Sequence, residues 1–354
     1  MPALPFGRFS VRTQHPSFDI HHHGVRASIR TSQNMISYPT LWKFGWWKIL
    51  KTGKIYIIII LIMFTWGMNV SALKVLVENF APITITSLRI FVAGLTAILF
   101  LIFAELVRLP KRTEWIYIIG GAFLSVVFHH FFLAEGLTKT SATNTGLILG
   151  MGPLLTVVFS MVFLRRKPTF IQLIGFVFGG LGVSFTVLAG SGGLQSINAG
   201  DLNILFSITS QALSFILIKR ASQTMDPRLL TGYMLLIGSF FLFIISLWKE
   251  PGGFAAVAEV SALSVWAIFL FSAVIATGIG HMIYNYAIGQ VGPAETSIFL
   301  NLNTFFSIIG AAIFLNESII LAHFIGLVLI VSGVIFGSGG LEAWLLKRKV
   351  KRRS

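Results

Sequence analysis

The sequence predicts an all-α integral membrane protein, with about ten transmembrane helices arranged as two inverted five-helix repeats. Three observations carry that expectation: a charge-poor, apolar composition, apolar runs of membrane-spanning length that recur along the chain, and a residue-by-residue match between its halves.

Hydrophobic residues make up 55% of the 354 positions and charged residues 11%, and mean hydropathy is +0.84. A water-soluble protein of this length needs a charge-rich exterior, which this composition does not supply. Twenty-seven Lys and Arg against 12 Asp and Glu give a net charge of +15. The basic residues sit between apolar runs and form no stripe, so the lipid bilayer is the expected partner and nucleic acid is not. With no cysteine, disulfides, thiolate catalysis, iron-sulfur clusters and cysteine zinc sites are excluded.

Residues 1–54 read as a cytoplasmic extension, disordered to about Ser37, with Met35 as an alternative start. His21, His22 and His23 there form no convincing metal site, and no metal or other cofactor is expected. Trp42, Trp46 and Trp47 alternate with Lys43 and Lys48 as interfacial anchors do. The first apolar run is too long for a signal peptide and lacks a small-residue cleavage site, so it is read as a retained helix. A hydrocarbon core about 30 Å thick takes roughly 20 helical residues. The runs that meet this length are 55–76, 82–104, 113–135, 141–163, 169–189, 200–220, 228–248, 263–286, 293–315 and 319–337.

With the N-terminus in the cytoplasm, Arg108, Lys111, Arg112, Arg165, Arg166, Lys167, Lys219, Arg220 and Arg228 fall inside, as does the basic tail within 338–354. The outer loops keep Lys139 and Lys249. This positive-inside pattern supports an even helix count with both termini cytoplasmic, in the inner (plasma) membrane of a bacterium.

The halves align at an offset of 151 residues without gaps: Thr145 falls on Thr296, Gly175 on Gly326, Gly182 on Gly333 and Phe185 on Phe336. Two five-helix repeats, 55–189 and 200–337, are therefore expected, joined by the uncharged linker 190–199. Because five is odd, the second copy enters the membrane from the opposite side, the architecture on which alternating access is built.

Polar and ionisable groups within lipid-spanning helices are costly unless they face a cavity or a partner. Lys74 and Arg89 could attract a carboxylate or phosphate; the bland alternatives are snorkelling of Lys74, and pairing of Arg89 with helix-end carbonyls or Glu78. His130 and His281 are repeat-equivalent, are expected on opposite sides of the midplane, and could sense or relay protons, with a neutral imidazole bridging helices as the alternative. Asn69, Gln211, Asn301 and Asn303 could line a pocket with Trp66, Tyr284 and Tyr286, or simply join helices by hydrogen bonds.

The motifs resemble those of EamA-type transporters of the drug/metabolite transporter superfamily. Trp66-Gly67-Met68-Asn69 with Lys74, Ser87-Leu88-Arg89, and Glu135 to Asn144 followed by Gly152-Pro153 carry the likeness, and Phe314-Leu315-Asn316-Glu317 continues it. Arg166 departs from it, standing where the repeat would place a second acidic residue. The resemblance spans residues 55–337 and implies a ten-helix exporter or permease for small metabolites such as amino acids, with a proton gradient as the expected coupling. A homodimer is compatible with it.

Enzyme signatures fail on order and context. Ser71 to Lys74 reads S-x-x-K and Lys51 to Gly53 reads K-T-G, but in the wrong order and without S-D-N. The rival reading, a polytopic membrane enzyme acting on lipid or isoprenoid substrates, wants clustered carboxylates, and the acidic residues here are scattered singly. An enzyme is not expected.

Overall fold

The computed structural model describes residues 52–140, 145, 148–190, 199–315, 321–339, 341 and 342. The N-terminal extension with its Trp42–Lys48 anchor, most of the linker, Asn144, Glu317 and the basic tail from 343 lie outside the described residues.

The described elements are helical. They are α1 (Thr52–Asn79), α2 (Pro82–Phe103), α3 (Trp115–Leu137), α4 (Gly152–Leu164), α5 (Phe170–Gly190), α6 (Ala199–Ala221), α7 (Pro227–Lys249), α8 (Leu263–Gln290), α9 (Leu300–Leu315) and α10 (Leu321–Gly337). Seven described helices are long and apolar enough to cross a membrane, counting α9 with the turn before it, and α4, α5 and α10 contribute shorter apolar helices. Large side chains such as Ile57, Leu61, Phe103, Phe170 and Phe240 stay exposed on the outer surface, as expected where lipid is the solvent.

Two of the expected runs are not single helices. Residues 293–315 divide into a five-residue turn, Pro293–Ser297, and α9, with Leu302 N–H donating to the Phe299 carbonyl at 2.9 Å across the break. The described part of 141–163 breaks at the repeat-equivalent place, where Met151 N–H donates to the Ile148 carbonyl at 3.0 Å. Both breaks carry i→i+3 bonds, which tighten a helix locally. A short helix, Gly253–Val257, that the apolar pattern did not predict lies between α7 and α8.

The glycine pairs seen in the sequence hold α5 against α10. A Cβ on Gly175 would lie 2.8 Å from the Gly333 carbonyl oxygen, and one on Gly182 would lie 2.9 Å from that of Gly326. Each contact maps onto the other under the repeat, so the crossing lies on the pseudo-two-fold axis. α2 and α7 cross in the same manner, with Gly94 against Leu236 and Gly232 against Ile98.

Helix ends carry the charged cross-links. Glu250, following α7, accepts from Ile83 N–H at 2.9 Å and Thr84 N–H at 2.7 Å, satisfying free donors at the start of α2. Lys249 pairs with Glu135 at 3.0 Å, joining α7 to α3 at that end. At the other end Arg166 pairs with Glu295 at 3.0 Å, and Arg220 donates to the Phe163 carbonyl at 2.7 Å, closing the C-terminus of α4. In the α2–α3 loop, bidentate hydrogen bonding from Arg108 holds the Glu114 carboxyl below the usual carboxylate range.

Candidate functional site

α3 and α8 are repeat-equivalent helices, and each contains a π-helical segment, Ala122–Phe128 in one and Phe271–Ile279 in the other. Wider i→i+5 turns displace carbonyls from the regular ladder and occur often at functional sites. The Ala276 carbonyl in α8 accepts from the Trp66 indole of α1 at 2.7 Å, and the Leu124 carbonyl in α3 accepts from the Ser210 hydroxyl of α6 at 2.6 Å. In each case the first helix of one repeat binds the third helix of the other. His129 and His130 follow directly on the first π segment, and His281 lies two residues after the second.

These side chains surround a central cavity with about 110 Å³ of interior space accessible to water. Trp66 and Asn69 reach it from α1, Arg89 from α2, His130 from α3, Gln211 from α6, His281 from α8 and Asn303 from α9. His129, Thr277 and Thr304 also line it. The spacing of Thr277 and His281, four residues apart on one helix face, was a legible signal for the former.

Four candidates stand elsewhere. Lys74 is half-exposed and pairs with Glu78 at 3.3 Å. Tyr284 is fully buried behind the cavity wall, its ring 5.0 Å from that of Trp66 and 5.5 Å from that of Phe215. Asn301 is buried with its amide against Gly179 of α5. Tyr286, also read as pocket-lining, packs under the Arg228 guanidinium at 4.8 Å. His130 and His281, expected on opposite sides of the midplane, meet with ring centroids 5.8 Å apart, so any relay between them is one step long.

Hydrogen bonds assign the imidazole tautomers. The Ser207 hydroxyl donates to the His129 carbonyl at 2.8 Å, so it accepts from His129 Nδ1 at 2.9 Å, which must carry the proton. His281 Nδ1 faces the Thr277 carbonyl at 3.2 Å and must donate too. Arg89 Nη2 lies 3.4 Å from His130 Nδ1, and a guanidinium only donates. His130 therefore carries its proton on Nε2, which is buried and has no partner.

Arg89 is 2% exposed. Its Nη1 donates to the Thr277 hydroxyl at 2.6 Å, and among the described residues it has no carboxylate partner. The carbonyl oxygens of the Asn69, Gln211 and Asn303 side chains are likewise buried without partners. Native interiors leave few such groups unsatisfied, and here four of them, counting His130 Nε2, belong to residues that line one cavity. The arrangement suits reversible binding of a polar small molecule, and among the described residues no acids cluster there.

The family model for the EamA-like transporter family matches residues 53–188 and again 198–338. The chain is 28% identical to the uncharacterized transporter YyaM of Bacillus subtilis over 82% of this chain and 95% of that protein. It is 24% identical to an uncharacterized transporter of Archaeoglobus fulgidus, over 79% and 97% respectively. The WAT1-related chloroplastic protein At3g02690 of Arabidopsis thaliana is 22% identical over 72% of this chain and 62% of its own. A crystal structure 18% identical in sequence overlays with a TM-score of 0.67 over 84% of this chain and 97% of the other, a likeness of fold.

Proposed function

Starting from the premise that this chain belongs to the EamA-like transporter family and is a membrane transporter, we propose that it is a secondary carrier exporting small metabolites such as amino acids by alternating access. The observation that carries this reading is the central cavity, walled by both repeats and holding buried polar groups without protein partners. Charged cross-links bridge the repeats at both ends of the bundle. Alternating access requires these to part at one end at a time while the cavity residues stay in place. The distribution of Lys and Arg supports cytoplasmic termini in a bacterial inner membrane.

Trp66, Asn69, Arg89, Gln211 and Asn303 form the substrate pathway in this reading, and Lys74, Tyr284 and Asn301 support it from outside the cavity. Cells expressing the native chain are expected to accumulate a small set of compounds in the medium that cells expressing Asn303→Leu, at equal membrane abundance, do not. A leucine there removes a buried acceptor and fills part of a small cavity, so export should fall at least about tenfold, the equivalent of roughly 1.4 kcal/mol. Indistinguishable media across growth conditions would overturn export.

The imidazoles suggest proton coupling. An imidazole can take up and release a proton, and His130 and His281 touch both each other and the cavity. His130→Gln and His281→Gln should each flatten the pH dependence of transport while leaving residual transport. An unchanged profile in both variants would remove the histidines from the coupling.

A further inference from the structure

We propose that the central cavity takes a small organic monoanion, a carboxylate on a largely apolar body, and that Arg89 holds its carboxylate while the Nε2–H of His130 donates to a second acceptor on the body. The inference deepens the carrier reading and rests on it for treating the occupant as cargo.

The sign of the ligand follows from the charges facing the cavity. Arg89 is held in a membrane-spanning helix at 2% exposure, and both of its side-chain bonds go to neutral acceptors, the Thr277 hydroxyl and His130 Nδ1. Among the described residues no Asp or Glu lines the cavity. A guanidinium carries five N–H donors, so donors remain beyond these two bonds. An uncompensated buried charge is strongly unfavourable, and an anionic ligand would neutralise it. The accounting favours one negative charge: a dianion would overcompensate the single guanidinium, a cation would be repelled, and a neutral molecule would leave Arg89 unpaired.

The remaining walls describe the rest of the ligand. His130 Nε2–H is a second buried donor without a partner, supplied by the tautomer that Arg89 itself imposes. Arg89 meets the imidazole at Nδ1, so Nε2–H points away from the guanidinium and serves a different acceptor of the ligand, while the remaining guanidinium N–H groups suit a carboxylate, which accepts at both oxygens. Trp66, Val70, Leu73 and Phe215 supply apolar walls for the body. The free amide oxygens of Asn69, Gln211 and Asn303 accept from an N–H or O–H substituent that the body carries.

The competing account is that Arg89 only braces α2 against α3 and α8 through His130 and Thr277. The two accounts differ in how neutralising Arg89 affects the empty protein. The test uses the purified full-length chain in nanodiscs at pH 7.5 and constant ionic strength, with thermal unfolding as readout. The probes are phenylacetate, its uncharged isostere phenylacetamide, the cation phenethylamine, and chloride and phosphate as inorganic anions. Phenylacetate is expected to raise the melting temperature, and the amide and amine are not. Arg89→Gln should weaken the phenylacetate response at least tenfold while leaving the melting temperature of the empty protein unchanged or higher; Arg89→Lys should keep the selectivity with weaker affinity.

Three results would overturn the inference: stabilisation by chloride or phosphate equal to that by phenylacetate, which would make this a resident inorganic-anion site; equal responses to the amide or amine; or an Arg89→Gln variant that melts lower with its phenylacetate response intact. Failure of the carrier reading would look different, with phenylacetate binding preserved in a protein that exchanges no substrate across reconstituted vesicles.

Discussion

Gly175→Ala is expected to remove most of the folded protein from the membrane fraction. A methyl group at this position would lie 2.2 Å from the Gly337 nitrogen, 2.6 Å from its Cα and 2.8 Å from the Gly333 carbonyl oxygen. All three neighbours are backbone, so no side chain can rotate away and α5 and α10 must separate. Overpacking of this kind costs about 1–3 kcal/mol where side chains yield, and more where they cannot. The loss extends beyond one contact, because close backbone approach is what holds apolar helices together when lipid tails are as apolar as the interface. Gly333→Ala, whose added carbon would lie 2.5 Å from the Gly179 nitrogen, should behave alike. Gly180→Ala is the control, since its nearest neighbour would be the Leu154 side chain at an ordinary 3.7 Å. Detergent-extracted chains compared by size-exclusion profile and melting temperature would decide it. A Gly175→Ala protein as monodisperse and heat-stable as the control would remove the helix crossing from the account of stability.

That crossing was legible because the repeat put glycines in register: Gly175 with Gly326 and Gly182 with Gly333. The cavity was legible in depth and less so in direction. Hydropathy tells how far along an apolar run a polar residue sits: Trp66, Asn69 and Gln211 lie near the middle of their helices, and Asn303 near the middle of the run 293–315. Which way each points depends on the helix's rotation, about 100° per residue. Asn301 and Asn303 are two residues apart and point in nearly opposite directions, so only Asn303 reaches the cavity while Asn301 packs against α5. Lys74 lies five residues beyond Asn69, on another face and close enough to the helix end to pair with Glu78. The π segments left no signal in a single sequence, since the i→i+5 pattern has no residue preference comparable to a proline kink. Beside them His130 and His281 meet at 5.8 Å, a convergence that two helices separated by four others in the chain do not suggest.

The departure at Arg166, where the repeat would place an acidic residue, acquires a physical reading in the structure. Arg166 follows α4 in the first repeat and reaches across to Glu295 at the start of the second repeat's ninth span, at 3.0 Å. Glu295 is 7% exposed, and its second carboxylate oxygen is buried without a partner. The Gly292 turn permits the approach: its φ of +122° and ψ of 157° belong to a region that glycine alone adopts readily. A Cβ there would also lie 2.7 Å from Glu295 Oε2 and 2.8 Å from Arg166 Nη1.

Glu295→Lys puts a cation beside Arg166 in this nearly closed site. Removing one partner of a fully buried pair costs about 3–5 kcal/mol; the half-exposed Arg166 lowers that figure here, but the variant also places an ammonium at a buried position beside a guanidinium. We therefore expect little folded protein, or a large fall in melting temperature, from the single variant. The swap Arg166→Glu with Glu295→Lys restores opposite charges across the same gap and should recover a substantial part of the loss. Glu295→Gln, which leaves a half-exposed Arg166 able to turn to water, should be milder in stability. Because the pair joins the two repeats at one end of the bundle, that milder variant should also favour opening at that end. It is measurable as faster modification of a cysteine introduced at Asn303, in a chain that has none of its own. If the swap rescues nothing and Glu295→Gln leaves cysteine accessibility unchanged, the pair is incidental, and the charge asymmetry between the repeats plays no part in holding that end closed.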